Sequence, residues 1–197
     1  MFTLYLRDKA VTGSKLSCKK TLPKFTVVIG GARSGKSNFA EMLVIESHLS
    51  RRYIATAQAW DAEMRDRIAQ HRHQRGEDWL TIEAPLDLAG ALSDAKPNEV
   101  VLVDCATLWL SNQMLSDADL PAAMTLLQDA FATCPATVVV VTNEVGWSIV
   151  PDNALARRFR DAQGKLNQQM AAQADLVVAV LAGFPILLKG KLPETIT

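Results

Sequence analysis

FTVVIGGARSGKSNFA, residues 25–40, is the stretch whose reading decides the fold. FTVVI is an apolar, β-branched run of strand length. GGARSGKS follows as a glycine-rich turn, and from Asn38 to about Leu49 the chain reads as a helix. Gly30, Gly35, Lys36 and Ser37 match G-x-x-x-x-G-K-S, a phosphate-binding loop, placed between strand and helix as that motif requires. In such a loop the backbone N–H groups of Gly30, Gly31, Ala32, Arg33, Ser34, Gly35, Lys36 and Ser37 converge on phosphate oxygens at a helix N-terminus. Lys36 reaches the β and γ phosphates as a catalytic charge, and the Ser37 hydroxyl binds Mg²⁺. Glycine is required where the backbone comes close to a neighbour or takes positive φ.

Outward from this unit, strands and helices alternate. RRYIATA reads as a second strand, and a helical stretch follows from about Asp61 to Arg75, with Met64 and Ile68 at helical spacing and Gly76 as a stop. A loop is expected next, then a short helical piece, DLAGAL, opened by Pro85. EVVLVD and ATVVVVTNE are apolar runs that end on polar residues, as central parallel strands do. Leu120 to Thr133 reads as a helix. A longer one runs from Pro151 and Asp152 to about Ala174, capped by Asp152 or Asn153. LVVAVLAG is the last central strand, with PILLKG pairing at an edge. The fold class expected is α/β, with a mainly parallel sheet covered on both faces. Ligands on such sheets bind at the carboxyl ends of the strands. The residues there are Gly30 to Ser37, Thr56 to Gln58, Asp104, and Thr142 to Glu144.

The whole chain sets bounds on this reading. Its 197 residues suit one α/β domain, expected over residues 25–190 with a tail at 191–197. Lys and Arg total 21 and so do Asp and Glu, so net charge gives no argument for a nucleic-acid partner, and none is expected. Cys18, Cys105 and Cys134 are odd in number and far apart, with no CxxC pair, which points to a reducing cytoplasm and no zinc site. No apolar run approaches the ~20 residues of a bilayer span, so no membrane insertion is expected. Residues 1–24 carry Arg7, Lys9, Lys15, Lys19, Lys20 and Lys24 against a single acid, Asp8, with no strong period. They read as a basic, poorly ordered extension or as a docking arm.

Beyond the loop, three groups of residues invite chemistry. Asp104, at the end of a strand, stands where a phosphate-loop enzyme places the acid that holds Mg²⁺ directly or through water. A helix cap is the bland alternative. Glu144 is a second acid on the same edge, able to orient a nucleophile or the metal, or else a solvated loop acid. In RIAQHRHQR, Arg67, His71 and Arg75 are four apart and share one helical face. Flanking cations disfavour imidazolium and would leave His71 neutral and nucleophilic, with the guanidiniums holding phosphate. From spacing alone a solvated basic face carrying an incidental histidine is the favoured reading. His73 lies elsewhere on that helix and His48 at an ordinary helix end. Trp60, Trp79 and Trp109 are expected in the core by default, and Trp147 in EVGWSIVP is expected to be exposed.

Taken in order, GGARSGKS, YIATAQ followed by DAEMRDRIAQHR, VLVDCATLWLSN, TNEVGWSIVP and ARRFRDAQGKLNQQMAAQADLVV resemble the bifunctional adenosylcobinamide kinase / adenosylcobinamide-phosphate guanylyltransferase family, from Phe25 to about Gly190. The resemblance implies a RecA-like phosphate-loop fold and a homotrimer. It also implies two reactions late in cobalamin synthesis. ATP or GTP phosphorylates adenosylcobinamide; GTP then donates GMP, through a guanylyl-histidine, to adenosylcobinamide phosphate. On this pattern His71, rather than His73, is the nucleophile by the RIxxHR spacing. Gly30 to Ser37 take the triphosphate, Thr56, Ala57 and Gln58 make further nucleotide contacts, and Arg75, Glu83 and Asp104 lie near them. Two departures stand out. Trp147-Ser148 occupies the place of an expected second glycine after NEVG, and residues 1–24 have no counterpart. A kinase with only the first activity, or a regulator that binds nucleotide without transfer chemistry, are the rival readings.

Overall fold

The computed structural model of the chain describes residues 22–58 and 78–193. The expected helix over 61–75, and with it Arg67, His71, His73, Arg75 and Trp60, lies outside the described residues, as do Cys18 and most of the basic extension.

Seven strands form one sheet: β1 (Phe25–Gly30), β2 (Ser50–Ala55), β3 (Trp79–Glu83), β4 (Glu99–Asp104), β5 (Thr137–Asn143), β6 (Leu176–Leu181) and β7 (Phe184–Lys189). Their order is β3-β2-β4-β5-β1-β6-β7. Every pairing is parallel except β6 with β7, which closes an antiparallel edge hairpin. The helices are α1 (Lys36–Glu46), α2 (Leu88–Ser93), α3 (Ala106–Leu115), α4 (Leu120–Thr133) and α5 (Ala154–Gln173). β5 separates β1, which carries the phosphate-loop sequence, from β4, which ends on Asp104. This is the RecA-like arrangement of a phosphate-loop fold.

The central strands read as continuous apolar runs because both of their faces are buried. Val28, Leu102, Val139, Val141 and Val178 face α1, which meets them with Phe39, Ala40, Leu43 and Val44. That 39/40/43/44 spacing is one helical stripe. Val27, Val101, Val103, Val138, Val140 and Val177 face the other way, toward α2 to α5. There α4 contributes Leu120, Met124, Leu127 and Phe131, and the Phe131 ring stacks on Phe25 at 4.7 Å. Trp79 and Trp109 are buried, as expected of core tryptophans. Truncating a side chain as enclosed as Leu127 typically costs about 2–5 kcal/mol.

Three elements depart from the sequence reading. Residues 79–83, expected in a loop, form β3, an edge strand in register with β2 from Arg51–Trp79 to Ala55–Glu83. An edge strand has one neighbour and needs no long apolar run, and Leu80 here is exposed. Residues 106–115 form α3, starting two residues after Asp104. Its inward face mixes Ala106, Thr107, Trp109, Leu110 and Asn112, so its apolar period is weak. α1 also ends at Glu46, earlier than expected, where His48 takes a left-handed φ of 55° before β2 begins. For α5, Asn153 is the cap, its side chain accepting from the Ala156 N–H at 2.7 Å.

The amino ends of β2 and β4 are joined by a buried ion pair. Arg52 Nε donates to Glu99 Oε2 at 2.8 Å, and Nη2 donates to Glu99 Oε1 and to the Asp94 carbonyl, both at 3.3 Å. The Lys96 N–H donates to Glu99 Oε2 at 2.9 Å. The Arg52 guanidinium holds the Glu99 carboxyl below its ordinary range, against the opposing effect of burial.

Candidate active site at the carboxyl edge of the sheet

The register aligns the strand ends that carry polar residues. Gly30 pairs with Asn143 on one side and Val180 on the other, and Ala55 pairs with Asp104. The loop of residues 30–37 is therefore built on this edge next to the central strand β5. Gly30 sits too close to its neighbours for any side chain: a Cβ there would lie 2.5 Å from both Ser34 Oγ and the Val180 carbonyl. Gly35 takes a φ of 93°, so positive φ is required there and not at Gly30. Gly35 is the N-cap of α1 with no side-chain cap, which leaves first-turn N–H groups directed out of the helix end. The loop is braced by the Ser34 N–H on the Gly31 carbonyl at 3.3 Å and by the Gly183 N–H on the Ser34 carbonyl at 2.8 Å. Lys36 Nζ donates to the Gly31 carbonyl at 3.1 Å, so the ammonium lies folded over the loop. The Ser34 hydroxyl is buried with no partner among the described residues.

Asp104 stands half-buried at the end of β4, and Tyr53 Oη donates to its Oδ2 at 3.2 Å. Next to it Thr56 Oγ1 accepts from the Cys105 N–H and donates to the Cys105 carbonyl, both at 2.7 Å. Asn112 Nδ2 donates to the carbonyls of Thr56 at 2.8 Å and Pro85 at 3.0 Å. Thr56 is thus pinned, and Ala57 and Gln58 leave the sheet from a fixed point. Glu83 is exposed at the end of β3, further along the same edge. The expected nucleotide residues therefore fall into two groups, the loop at β1 and Thr56 to Gln58 at β2. Three inter-strand steps, about 14 Å, separate them, with Asp104 between. Cys105 does not offer a thiolate: burial, then the Asp104 charge, push its thiol up to about 11.

Glu144 follows β5 directly, and its N–H donates to the Gly30 carbonyl at 3.1 Å. Behind it lies a polar network that the sequence reading missed. Thr107 Oγ1 accepts from the Asn143 N–H at 2.7 Å, and Asn167 Nδ2 donates to the Asn143 carbonyl at 3.0 Å. Thr142 Oγ1 donates to Asn167 Oδ1 at 2.7 Å, and Gln163 Nε2 donates to both Thr142 Oγ1 and Asn167 Oδ1. Gln163 and Asn167 are four apart on α5, a spacing visible in the sequence; that they face inward is not. Trp147 is 85% exposed, as expected.

Against known proteins, the family model described as cobinamide kinase / cobinamide phosphate guanyltransferase matches residues 26–188. The chain belongs to that family. The bifunctional adenosylcobalamin biosynthesis protein CobP of Pseudomonas aeruginosa is 45% identical over 84% of this chain and 97% of its own length. The bifunctional adenosylcobalamin biosynthesis protein CobU of Escherichia coli K12 is 43% identical over 83% of this chain and 98% of its own length. Among solved structures, a protein of Pyrococcus horikoshii OT3 aligns with a TM-score of 0.52 at 9% identity, covering 88% of this chain and 90% of that one, a likeness of fold alone. No helix of the described residues is long and apolar enough to cross a membrane. This cobinamide kinase / guanyltransferase family member is thus an enzyme whose phosphate-loop sequence, strand-end aspartate and strand-end glutamate share one edge of the sheet.

Proposed function

We propose that this enzyme carries both activities of its family. In the first, ATP or GTP phosphorylates the aminopropanol hydroxyl of adenosylcobinamide. In the second, a His71 ring nitrogen attacks the α-phosphorus of GTP and pyrophosphate leaves. A phosphate oxygen of adenosylcobinamide phosphate then attacks the same phosphorus, the P–N bond breaks, and adenosylcobinamide-GDP is released with the imidazole restored. The observation that carries the reading is the loop of residues 30–37, sterically closed at Gly30 and with an uncapped helix end at Gly35, beside Asp104.

Lys36 and the loop N–H groups neutralise the triphosphate in both reactions. Ser37 Oγ and Asp104 Oδ1 are hard oxygen donors that fit Mg²⁺, an ion commonly held by one or two protein oxygens together with substrate phosphates and water. Mg²⁺ there would offset charge on the β and γ phosphates. Thr56, Ala57, Gln58 and Glu83 serve the nucleotide at the β2–β3 end of the edge, and Arg75 is a further nucleotide contact. Arg67 and Arg75, on the helical face of His71 by spacing, hold phosphate and keep the imidazole neutral. We place the enzyme in the cytoplasm as a homotrimer. The apolar residues exposed on β7 outside its cavity-lining positions, Phe184 at 74% and Leu187 at 44%, support association.

The test is to follow γ-labelled ATP or GTP with adenosylcobinamide, then add unlabelled GTP. The label should pass first into adenosylcobinamide phosphate and then into the β position of adenosylcobinamide-GDP. Arrest at the monophosphate would reduce the enzyme to a kinase.

A further inference from the structure

Beside the phosphate loop the sheet forms an open cavity of about 540 Å³. Its floor is apolar, with Ile186 and Leu188 of β7 among its residues, and Trp147 and Glu144 stand at its side. Gly30 and Gly31 of the phosphate loop border it directly. Among the residues that line it a single one is ionisable, Glu144, and the surfaces around it are mainly apolar.

We propose that Glu144 is the catalytic carboxylate that receives the acceptor hydroxyl in the kinase reaction, and that the Trp147 side of this cavity seats the apolar body of the acceptor. The assignment rests on the kinase activity proposed above and names the residue that serves it. Three features support it. First, the backbone at Glu144 is braced: its N–H is bonded to the Gly30 carbonyl, and the preceding residue, Asn143, is held through N–H and carbonyl by Thr107 and Asn167. Second, Glu144 Oε1 accepts from the Gly146 N–H at 2.6 Å, which fixes the carboxylate; Oε2 takes no hydrogen bond from the described residues. Third, the other acid on this edge is worse placed. Asp104 is one strand further from β1, has one oxygen taken by Tyr53, and does not border the cavity.

The step balances. The hydroxyl oxygen forms a bond to the γ-phosphorus as the bond from that phosphorus to the β–γ bridging oxygen breaks, and the nucleoside diphosphate leaves. The hydroxyl proton passes to Glu144 Oε2 and then to solvent. Phosphoryl transfer has a loose transition state, so the carboxylate acts chiefly by aiming the oxygen and taking its proton late. The apolar walls displace water that would otherwise compete for the phosphoryl group.

The test uses the full chain, steady-state phosphorylation of adenosylcobinamide by ATP, and separate titration of nucleotide binding. Glu144→Gln should lower kcat at least ~100-fold, with KM for adenosylcobinamide and Kd for nucleotide within about threefold of wild type. Glu144→Asp should recover part of that loss, which a purely structural acid would not show. Trp147→Ala should raise KM for adenosylcobinamide with kcat little changed. A Glu144→Gln enzyme with kcat within fivefold of wild type, or one whose loss is matched by weaker nucleotide binding, overturns the assignment. A wild-type chain that phosphorylates no adenosylcobinamide would overturn the kinase reading and this assignment with it; normal wild-type turnover with an indifferent Glu144→Gln removes Glu144 alone.

Discussion

β2 and β4 carry polar residues at both ends, and the two ends are treated oppositely. At the amino end Arg52 and Glu99 are buried against each other, and Asp94 and Lys96 supply further backbone bonds. At the carboxyl end Asp104 is half-buried, with Tyr53 on one oxygen and no hydrogen bond from the described residues at the other, and two strands away, beyond β5, the uncapped start of α1 opens beside Gly30. A buried pair that satisfies itself can only hold the fold. Polar groups kept in position with capacity to spare are what a ligand can use. Residue type does not separate the two ends, since each has an acid, but the completeness of the partners does.

The contrast can be broken from either end. Lys36→Ala should have the largest effect on activity, at least about 100- to 1,000-fold in both phosphorylation and GMP transfer, because both need the triphosphate charge neutralised. Its melting temperature should stay within a few degrees of wild type. Near-normal rates in the folded variant would remove the loop from the chemistry. Asp104→Asn should act more narrowly, raising the Mg²⁺ concentration needed for half-maximal rate by about 10- to 100-fold. An unchanged Mg²⁺ titration would make Asp104 a structural residue like those at the amino end.

Glu99→Gln should do the reverse: little change in kcat where the variant is folded, and a loss of roughly 3 kcal/mol in unfolding free energy, since the Arg52 charge is left buried without its partner. The pH dependence has a definite sign. Glu99 titrates lower in the folded chain than its ordinary 4.5, so the pair's contribution is fully present above that value and is lost as pH falls through the lower, folded one. Glu99→Gln should flatten that acid limb in urea titrations. A variant as stable as wild type would show that the amino-end pair adds nothing.

How much of this was legible in the sequence depends on how each signal arises. β1, the loop and α1 were readable because backbone geometry there demands glycine at Gly30 and Gly35, and that demand is written as a motif. The central strands were readable because burial on both faces leaves an apolar run. β3 was not, since WLTIE is only five residues long and its apolar Leu80 lies exposed at the edge, so no sustained run or clean inward face marks it. α3 was hidden because Thr107 and Asn112 interrupt its apolar face. The supporting network of Thr107, Thr142, Gln163 and Asn167 was illegible for a related reason: polar residues on a helix face solvent by default, and only the fold shows these turned inward. The family resemblance adds expectations that local pattern does not supply: Glu83, which nothing in local pattern singles out, and His71, which local pattern left ambiguous.

The central claim is that this edge serves a covalent guanylyl transfer through His71 as well as a kinase. Its most direct test is incubation of the full chain with α-labelled GTP, followed by acid and alkali treatment. A phosphorus–nitrogen bond to imidazole resists alkali and breaks in acid. The wild-type chain should carry an alkali-stable, acid-labile label. His71→Ala should carry none and form no adenosylcobinamide-GDP, while still phosphorylating adenosylcobinamide. An acid-labile label that persists in His71→Ala would contradict the account, and its loss in His73→Ala instead would move the nucleophile two residues along the chain.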